Sequence, residues 1–299
     1  MEDDFMQPEL GAVETVVEDY CCYECSTCHL VFQSFDPTIE KCIFCGEKSI
    51  SQANKKNYNG FSYLPFSVSY EEAVSLFKQQ IRLNFLAPFS LRTRRVRKRI
   101  QKMYVPCCLF NLAVEGNISF YGADKISNVK NSPKQFFESM YSTHFDYLNL
   151  LSSNSSLISD VLLSNINDYD FTNLTAFDPV MTKDSYLIVG DLDNSEVSEK
   201  VREKALNRCA NIVRDNVDHD MKKLADNHLT LGVASAISVM VPIYFMNFRY
   251  RGREYFYVVN GQTKKMIIDV PTNSWSVLFL SLACFALIVL ICCVVVHFM

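Results

Sequence analysis

The chain is poor in glycine, histidine and tryptophan, and each shortage narrows the functions that it can have. Its 299 residues include 9 glycines, 5 histidines and 1 tryptophan. Few glycines leave little material for loops that bind phosphate through backbone amides, and the patterns G-x-x-x-x-G-K-[ST], G-x-G-x-x-G, G-x-S-x-G and H-E-x-x-H do not occur. The histidines are isolated and lack metal-ligand spacing. We therefore predict that the protein is not an enzyme.

A strong net charge is also missing, but the charges are unevenly distributed. The net charge of −4 indicates no particular partner. Residues 1–19 are acidic without a basic residue, which predicts a disordered leader, with partner binding or self-masking as alternatives. Residues 92–102, in contrast, are rich in basic residues and contain no acidic one. Their basic side chains are Arg92, Arg94, Arg95, Arg97, Lys98, Arg99 and Lys102.

The sequence predicts no signal peptide at the N-terminus and a membrane span at the other end. The first residues have neither a basic n-region nor an apolar h-region. Residues 277–296 contain no charge, proline or glycine, and as a helix they would cross roughly 30 Å. Trp275 suits the membrane interface, and Lys264 and Lys265 precede the span. We predict a tail anchor in the cell membrane, with the N-terminal part in the cytoplasm.

Disulfides are not expected in that reducing compartment, so the 12 cysteines are interpreted as thiols or metal ligands. Two C-x-x-C pairs flank the segment 29–41. Two such pairs can supply the four thiolates of a tetrahedral zinc site, which leaves no open position for catalysis. We predict a structural zinc ribbon with the ligands Cys25, Cys28, Cys42 and Cys45, in which the metal supplies the folding energy.

Two residues near the first pair are competing candidates for the zinc. Cys22 could form an alternative C-x-x-C with Cys25, and His29 directly follows Cys28. We interpret both as bystanders. Between the pairs, residues 30–35 and a turn at Asp36 and Pro37 predict the short hairpin of the ribbon.

Local patterns predict a series of elements after the ribbon. Residues 63–68 favour a strand, and Ser69 with Glu72 forms a capping box for a helix that reaches Asn84. A second helix is predicted over 88–103, with the seven basic side chains covering most of its surface. Those side chains could bind nucleic-acid phosphates, anionic lipids or an acidic partner, or be a solvated face. Its apolar stripe would consist of Phe89, Val96, Ile100 and Met103.

The next region suggests an internal duplication. Two strands are predicted around a turn at Glu115 and Gly116, and a similar unit follows downstream. In both copies a Val-Pro pair precedes an asparagine, a glycine turn and an aromatic-rich strand. The matched residues are Val105, Pro106, Asn111 and Gly116 in one copy and Val241, Pro242, Asn247 and Gly252 in the other.

Residues 122–180 are rich in serine and asparagine and are interpreted as an irregular insertion. A long helix is predicted from Asp193 to Asp226, with Cys209 in its apolar stripe. Cys107 and Cys108 should point to opposite sides of a strand. The last hairpin should turn at 260–261, followed by a strand over 264–270.

Several segments, taken in chain order, resemble one family. They are the cysteine pattern at 21–46, PFSVSYEEA at 65–73, YVPxxLF at 104–110, VPIYFMNFRYRGREY at 241–255, NGQTxK at 260–265 and the C-terminal apolar span. This order resembles bacterial membrane-anchored proteins described as transcription factor IIB-type zinc-ribbon-containing proteins. The resemblance implies the four zinc ligands and no particular activity. This chain departs from the pattern at its first knuckle, at Cys107 and Cys108, and at Lys264, where the family has glycine.

We therefore predict an α+β protein with a zinc ribbon, a mixed body containing the duplicated unit, and one transmembrane helix. Its parts would be the leader 1–19, the ribbon 20–47, a linker 48–60, the body 61–273 and the anchor 274–299. We expect a non-enzymatic protein-interaction or scaffold module with a protein partner at the membrane. The alternative is a membrane-tethered nucleic-acid-binding regulator that uses the ribbon and the basic helix 88–103. A third hypothesis is an enzyme whose residues converge only in the fold.

Overall fold

The computed structural model describes residues 20–55, 58, 60–125, 134–178, 182–216 and 221–298, and it has the predicted α+β class. The acidic leader therefore lies outside the described residues. Short 3-10 turns span Phe89–Arg92 and Phe171–Asn173. The helices are α1 (Tyr70–Leu83), α2 (Arg94–Arg97), α3 (Asp160–Ile166), α4 (Asn194–Asn216) and α5 (Ser274–Phe298). The strands are β1 (Cys21–Cys25), β2 (Val31–Ser34), β3 (Ile50–Gln52), β4 (Ser62–Tyr63), β5 (Gln101–Lys125), β6 (Lys134–Ser153), β7 (Thr175–Ala176), β8 (Tyr186–Ile188), β9 (Met221–Tyr250), β10 (Arg253–Asn260) and β11 (Met266–Ile268).

The strands form one 11-stranded sheet that is organised around β5 and β9. Its order is β11-β10-β9-β5-β8-β2-β1-β3, with β6 also paired to β5 and β4 paired to both β9 and β7. The antiparallel β5–β9 ladder runs from the pair Gln101 and Phe245 to the pair Ala123 and Met221. Every other part of the sheet is attached directly or indirectly to these two strands.

The two Val-Pro segments lie opposite each other at the centre of this ladder. Val105 pairs with Val241, while Pro106 faces Met240 and Pro242 faces Tyr104. Near Pro106 the outer neighbour of β5 changes from β8 to β6, and near Pro242 the outer neighbour of β9 changes from β4 to β10. A proline cannot donate a ladder hydrogen bond, so it suits the point where a strand changes neighbours. The shared role is consistent with the duplication, which remains a prediction.

Beyond this centre the strands β6, β5 and β9 continue as a three-stranded extension, called the arm, over 112–125, 134–147 and 221–233. Helix α4 covers one face of the arm, while the other face, called the open face, has no helix packed on it among the described residues. The buried residues between α4 and the arm are Leu112, Val114, Ile118, Phe120, Val197, Val201, Ala205, Cys209 and Val213. The core position predicted for Cys209 is confirmed.

The arm corrects two sequence predictions. Glu115 and Gly116 lie inside β5 and do not form a turn, because β6 and β9 pair with both of them. The segment 122–180 is not an irregular insertion, since it contains β6, α3 and β7. In β6 apolar side chains alternate with polar ones, among them serines and an asparagine, which makes the strand hard to recognise from the sequence. Tyr141, Phe145 and Tyr147 are the side chains that face α4.

Two predicted helices were too long. Helix α4 ends at Asn216, and Met221 and Leu224 belong to β9, where pairing with β5 satisfies their backbone. Val217 lies outside the described residues. The helix predicted over 88–103 is wrong: Thr93 is extended (ψ 153°), only α2 and a 3-10 turn are helical, and β5 begins at Gln101. Seven cations without an acid on one helix would repel one another, which disfavours the longer helix.

Other local predictions are confirmed. Ser69 and Glu72 form the reciprocal capping box of α1, and Ala73, Phe77 and Ile81 are its buried residues. Strand β11 follows the turn at 260–261 and pairs with β10. The strand predicted over 63–68 is shorter and ends at Tyr63.

The cysteine-rich segment is part of the same sheet as the body. Strand β2 pairs on one side with β1, which ends at Cys25 of the first C-x-x-C, and on its other side with β8. The hairpin therefore surrounds the first knuckle and does not lie between the two knuckles as predicted. The predicted linker 48–60 includes β3, which extends the sheet beyond β1. One apolar cluster joins Phe32 and Cys42 to Val105 and Val241.

Gly116 provides a test of the β5–β9 pairing. Its φ is 140°, and a Cβ there would lie 2.1 Å from the carbonyl oxygen of His228. We expect Gly116→Ala to lower the free energy of unfolding by about 3 kcal/mol or more, because a backbone atom must move. The matched control is Gly232→Ala on β9, whose Cβ would meet no atom closer than 4.0 Å. Denaturation midpoints that fall equally for the two variants would contradict this arrangement.

Candidate metal centre

Four cysteines from two tight turns meet at one point beside the sheet. The sulfurs of Cys25, Cys28, Cys42 and Cys45 all lie within 4.8 Å of one another. The Cys25–Cys45 and Cys28–Cys42 sulfur distances are both 3.6 Å, too long for disulfides, and all four are free thiols. A tetrahedral zinc with Zn–S bonds of about 2.3 Å requires sulfurs about 3.8 Å apart. The cluster therefore fits a tetrahedral metal ion.

The two turns have the same backbone geometry, and His29 corresponds to Gly46. The amide of His29 donates to the carbonyl of Cys25 (2.8 Å), and the amide of Gly46 donates to that of Cys42 (3.0 Å). Both residues are left-handed, with φ values of 58° and 79°. This conformation costs little for glycine but strains histidine. His29 thus ends the first knuckle and is not a member of the sulfur cluster.

Hydrogen bonds favour negative charge at one of the four sulfurs. Burial of Cys25 opposes ionisation, but the amides of Cys28 and Thr27 and the Ser49 hydroxyl outweigh it and lower its pKa to about 6. Burial raises the pKa of Cys42 to about 11 and raises that of Cys28 still further. A thiolate at Cys25 favours a cation at the centre, and a bound cation would in turn promote ionisation of the other thiols.

The other cysteines considered in the sequence do not join the centre. Cys22 is buried on the other side of β1, where it packs against Tyr20 and Tyr58. Cys107 and Cys108 point into different clusters on opposite sides of β5, as predicted.

Packing connects the second knuckle to the body. Phe44, between Cys42 and Cys45, stacks on Phe245 of β9 with ring centroids 5.0 Å apart and an angle of 9°. The amide of Phe44 also lies 3.4 Å from the Cys42 sulfur, to which it donates. The same residue therefore orients a ligand and contacts the central ladder.

Of the seven basic residues predicted as one surface, four line two separate concave regions and three lie outside both. Arg92 and Arg97, together with Lys78 and Arg82 of α1, surround a cleft of about 180 Å³. Lys98 and Lys102 line a groove of about 780 Å³ that also contains Lys183 and Ser185. Lys78, Arg82 and Lys183 come from separate segments, so no local sequence pattern could have assigned them to these regions. Arg94, Arg95 and Arg99 are exposed on or beside α2.

Comparison with known proteins finds one distant relative. The chain is 21% identical over 215 residues to a Bacillus subtilis (strain 168) protein described as "Uncharacterized protein YdjG". The aligned region covers 70% of this chain and 63% of that protein, less than two thirds of its length. No family model matches the chain, and no solved structure matches it. The family resemblance inferred from the motifs therefore stays a prediction.

The C-terminal helix is long and apolar enough to cross a membrane. Within α5, the segment Val277–Val295 has the length and the apolar composition of a membrane span, and it is not buried against the rest of the protein. The span predicted from the sequence over 277–296 overlaps this segment.

Loss of one cysteine should remove the metal. We expect Cys42→Ser to abolish metal binding, because a serine hydroxyl is a poor ligand for a metal ion that prefers four thiolates. Unfolding should also become easier, since Cys42 lies in the cluster that contains Val105 and Val241. Elemental analysis of the purified chain measures the metal. The control is Cys22→Ser, which should retain it, and equal metal loss in both variants would contradict the assigned ligand set.

His29 provides a second test of the knuckle geometry. We expect His29→Gly to raise the free energy of unfolding by about 1 kcal/mol or less, since glycine accepts the left-handed conformation more easily. The metal content should not change. Loss of metal in this variant would show that His29 is a ligand.

Proposed function

We propose that this chain is a non-enzymatic protein-interaction module that is held at a membrane by α5 and stiffened by a structural zinc ion. The open face of the arm is the observation that carries the proposal. The zinc ribbon, the span and the cytoplasmic location of the body are parts of the same proposal, and each has separate support.

Support for zinc comes from the donor set. Four thiolates at tetrahedral spacing are the ligands of structural zinc, and four protein ligands leave no position for a reacting water. The ligands also belong to the core that contains Val105 and Val241. An ion bound there would rigidify both the ribbon and the adjoining sheet.

Support for the membrane comes from α5 and from the charges that precede it. The segment Val277–Val295 matches the thickness of a bilayer, and Lys264 and Lys265 lie shortly before it on the side that favours the cytoplasm. The body would then be presented close to the inner face of the membrane.

The open face of the arm exposes large apolar side chains beside acidic ones. Phe136 is 76% and Met140 is 72% exposed, on the strand that forms one edge of the arm. On the same face Glu138 lies between them on β6, and farther along the arm Glu115 and Asp146 flank His144. Exposed apolar groups bordered by polar ones are typical of protein-binding surfaces. The face fits a partner segment that combines apolar and basic side chains.

Crosslinking in the native cells, followed by mass spectrometry, tests this function. We expect crosslinking of the full chain to recover a membrane-associated protein in near-stoichiometric yield. A Phe136→Asp/Met140→Asp variant should lose that protein, because burying the added charges in an apolar contact costs free energy. The control is Val161→Asp on α3, which is 71% exposed but lies outside the arm. Unchanged recovery with the double variant would contradict the arm as the binding surface. Turnover of a substrate by the purified chain would contradict the non-enzymatic function.

The alternative proposal, a membrane-tethered nucleic-acid-binding regulator, depends on the basic side chains of 92–102. It is less well supported, because these side chains lie on two short helical turns and a strand and do not share one continuous helix. It requires recovery of nucleic acid or its polymerases in the same experiment. It also requires binding that weakens steeply with salt and is reduced when Arg94, Arg95, Arg97 and Arg99 become alanine.

A further inference from the structure

The start of α5 is fastened to two loops of the body. The amide of Asn273 donates to the carbonyl of Leu86 (2.8 Å), and the guanidinium Nη1 of Arg251 donates to the hydroxyl of Ser274 (2.6 Å). Leu86 lies between α1 and the 3-10 turn Phe89–Arg92. These bonds hold the segment after α1 at the level at which α5 leaves the body.

Large apolar side chains in this same segment face solvent. Leu83 is 69%, Phe85 is 61% and Phe89 is 74% exposed. Their neighbours Ala87 and Leu91 are buried in the core, so the backbone on both sides is anchored. An exposed group of this size so close to a candidate span is typical of a surface that meets lipid.

Basic side chains line a cleft in the same region of the surface. Lys78, Arg82, Arg92 and Arg97 line the 180 Å³ cleft, whose apolar part is formed by Phe77, Ile81 and Leu91. The Arg92 guanidinium carbon lies 5.0 Å from the centre of the Phe89 ring. Within the described part of the chain, none of the four cations lies within 4.0 Å of a carboxylate. Among the described residues, their positive charge is therefore not neutralised by an ion pair.

We propose that this surface, called the docking surface, lies in the headgroup layer of the bilayer that α5 crosses and binds anionic phospholipids. Leu83, Phe85 and Phe89 would reach the boundary of the acyl chains, while the basic side chains bind lipid phosphates. The cleft is small, so it would accept the phosphate group of a lipid and not a whole lipid. The inference rests on the proposed function in one respect, that α5 spans the membrane.

The combination of features favours a lipid surface over other anions. Basic residues near an anionic leaflet are attracted electrostatically, and apolar side chains among them add insertion, which a soluble phosphate compound cannot use. The hydrogen bonds to Asn273 and Ser274 place the surface beside the bilayer without further movement of the body.

A tryptophan reporter in the full chain tests the proposal. The sequence has 1 tryptophan, so Trp275→Phe combined with Phe85→Trp leaves a single reporter on the docking surface. The matched control combines Trp275→Phe with Leu148→Trp, a position that is also exposed but lies on β6. Both proteins are reconstituted in vesicles of brominated phosphatidylcholine, alone or mixed in equal parts with phosphatidylglycerol. We expect quenching of the reporter at 85 to be several-fold stronger than at 148, and stronger still with phosphatidylglycerol.

Charge reversal tests whether the basic side chains of the docking surface attract the anionic lipid. In the reporter protein, Arg82→Glu/Arg92→Glu/Arg97→Glu should remove the increase in quenching caused by phosphatidylglycerol, because all three side chains line the cleft of the docking surface. The matched reversal Lys200→Glu/Arg202→Glu/Lys204→Glu on α4 should leave it unchanged. Circular dichroism and metal content confirm that each variant is folded.

Two results would overturn the proposal in different ways. Equal quenching at 85 and 148 in protein that resists alkaline extraction would refute the docking surface and leave the span intact. Release of the unsubstituted protein from vesicles by alkaline extraction would refute the span, and with it both the docking surface and the proposed membrane location.

Discussion

The antiparallel pairing of β5 with β9 is the constraint on which the rest of the structure depends. At its centre the ladder brings Val105 against Val241, and there the neighbouring strands on both outer edges change. In one direction it supports the apolar clusters of the body, and in the other it continues as the arm. Because the two strands are distant in sequence, forming this pair closes a long loop. The entropy cost of that closure must be offset by the buried apolar surface.

The cysteine centre is coupled to this ladder. Strand β2 joins the body through β8, and Phe44 stacks on Phe245. The four cysteines do not form a module separate from the body, because they contribute to a core shared with β5 and β9. A metal ion bound there would therefore stabilise more than the two knuckles, and its loss would also affect the sheet.

The proposed functions occupy different parts of the molecule. The docking surface lies where α5 leaves the body, whereas the open face of the arm is formed by strands that extend away from the ladder's centre. A body that rests on the bilayer through one region can offer another to a protein partner. Under this proposal the basic side chains would contact the membrane, in keeping with their position near exposed Phe89 and around an apolar cleft.

The local sequence determined those features whose interacting residues all lie within a few positions of one another in the chain. The C-x-x-C pairs, the Ser69–Glu72 capping box, the apolar run of α5 and the turn at 260–261 each contain their own partners or periodicity. Tertiary structure decided whatever needed a distant partner. Gly116 lies within a strand because β6 and β9 pair with it, and 101–103 became a strand because β9 lies alongside. The apolar face of the serine-rich strand β6 is recognisable only once α4 is seen to cover it. Arg92 and Arg97 share their cleft with side chains of α1, which lies earlier in the chain. Strand pairing and surface patches join residues far apart in the chain, so a local pattern cannot encode them.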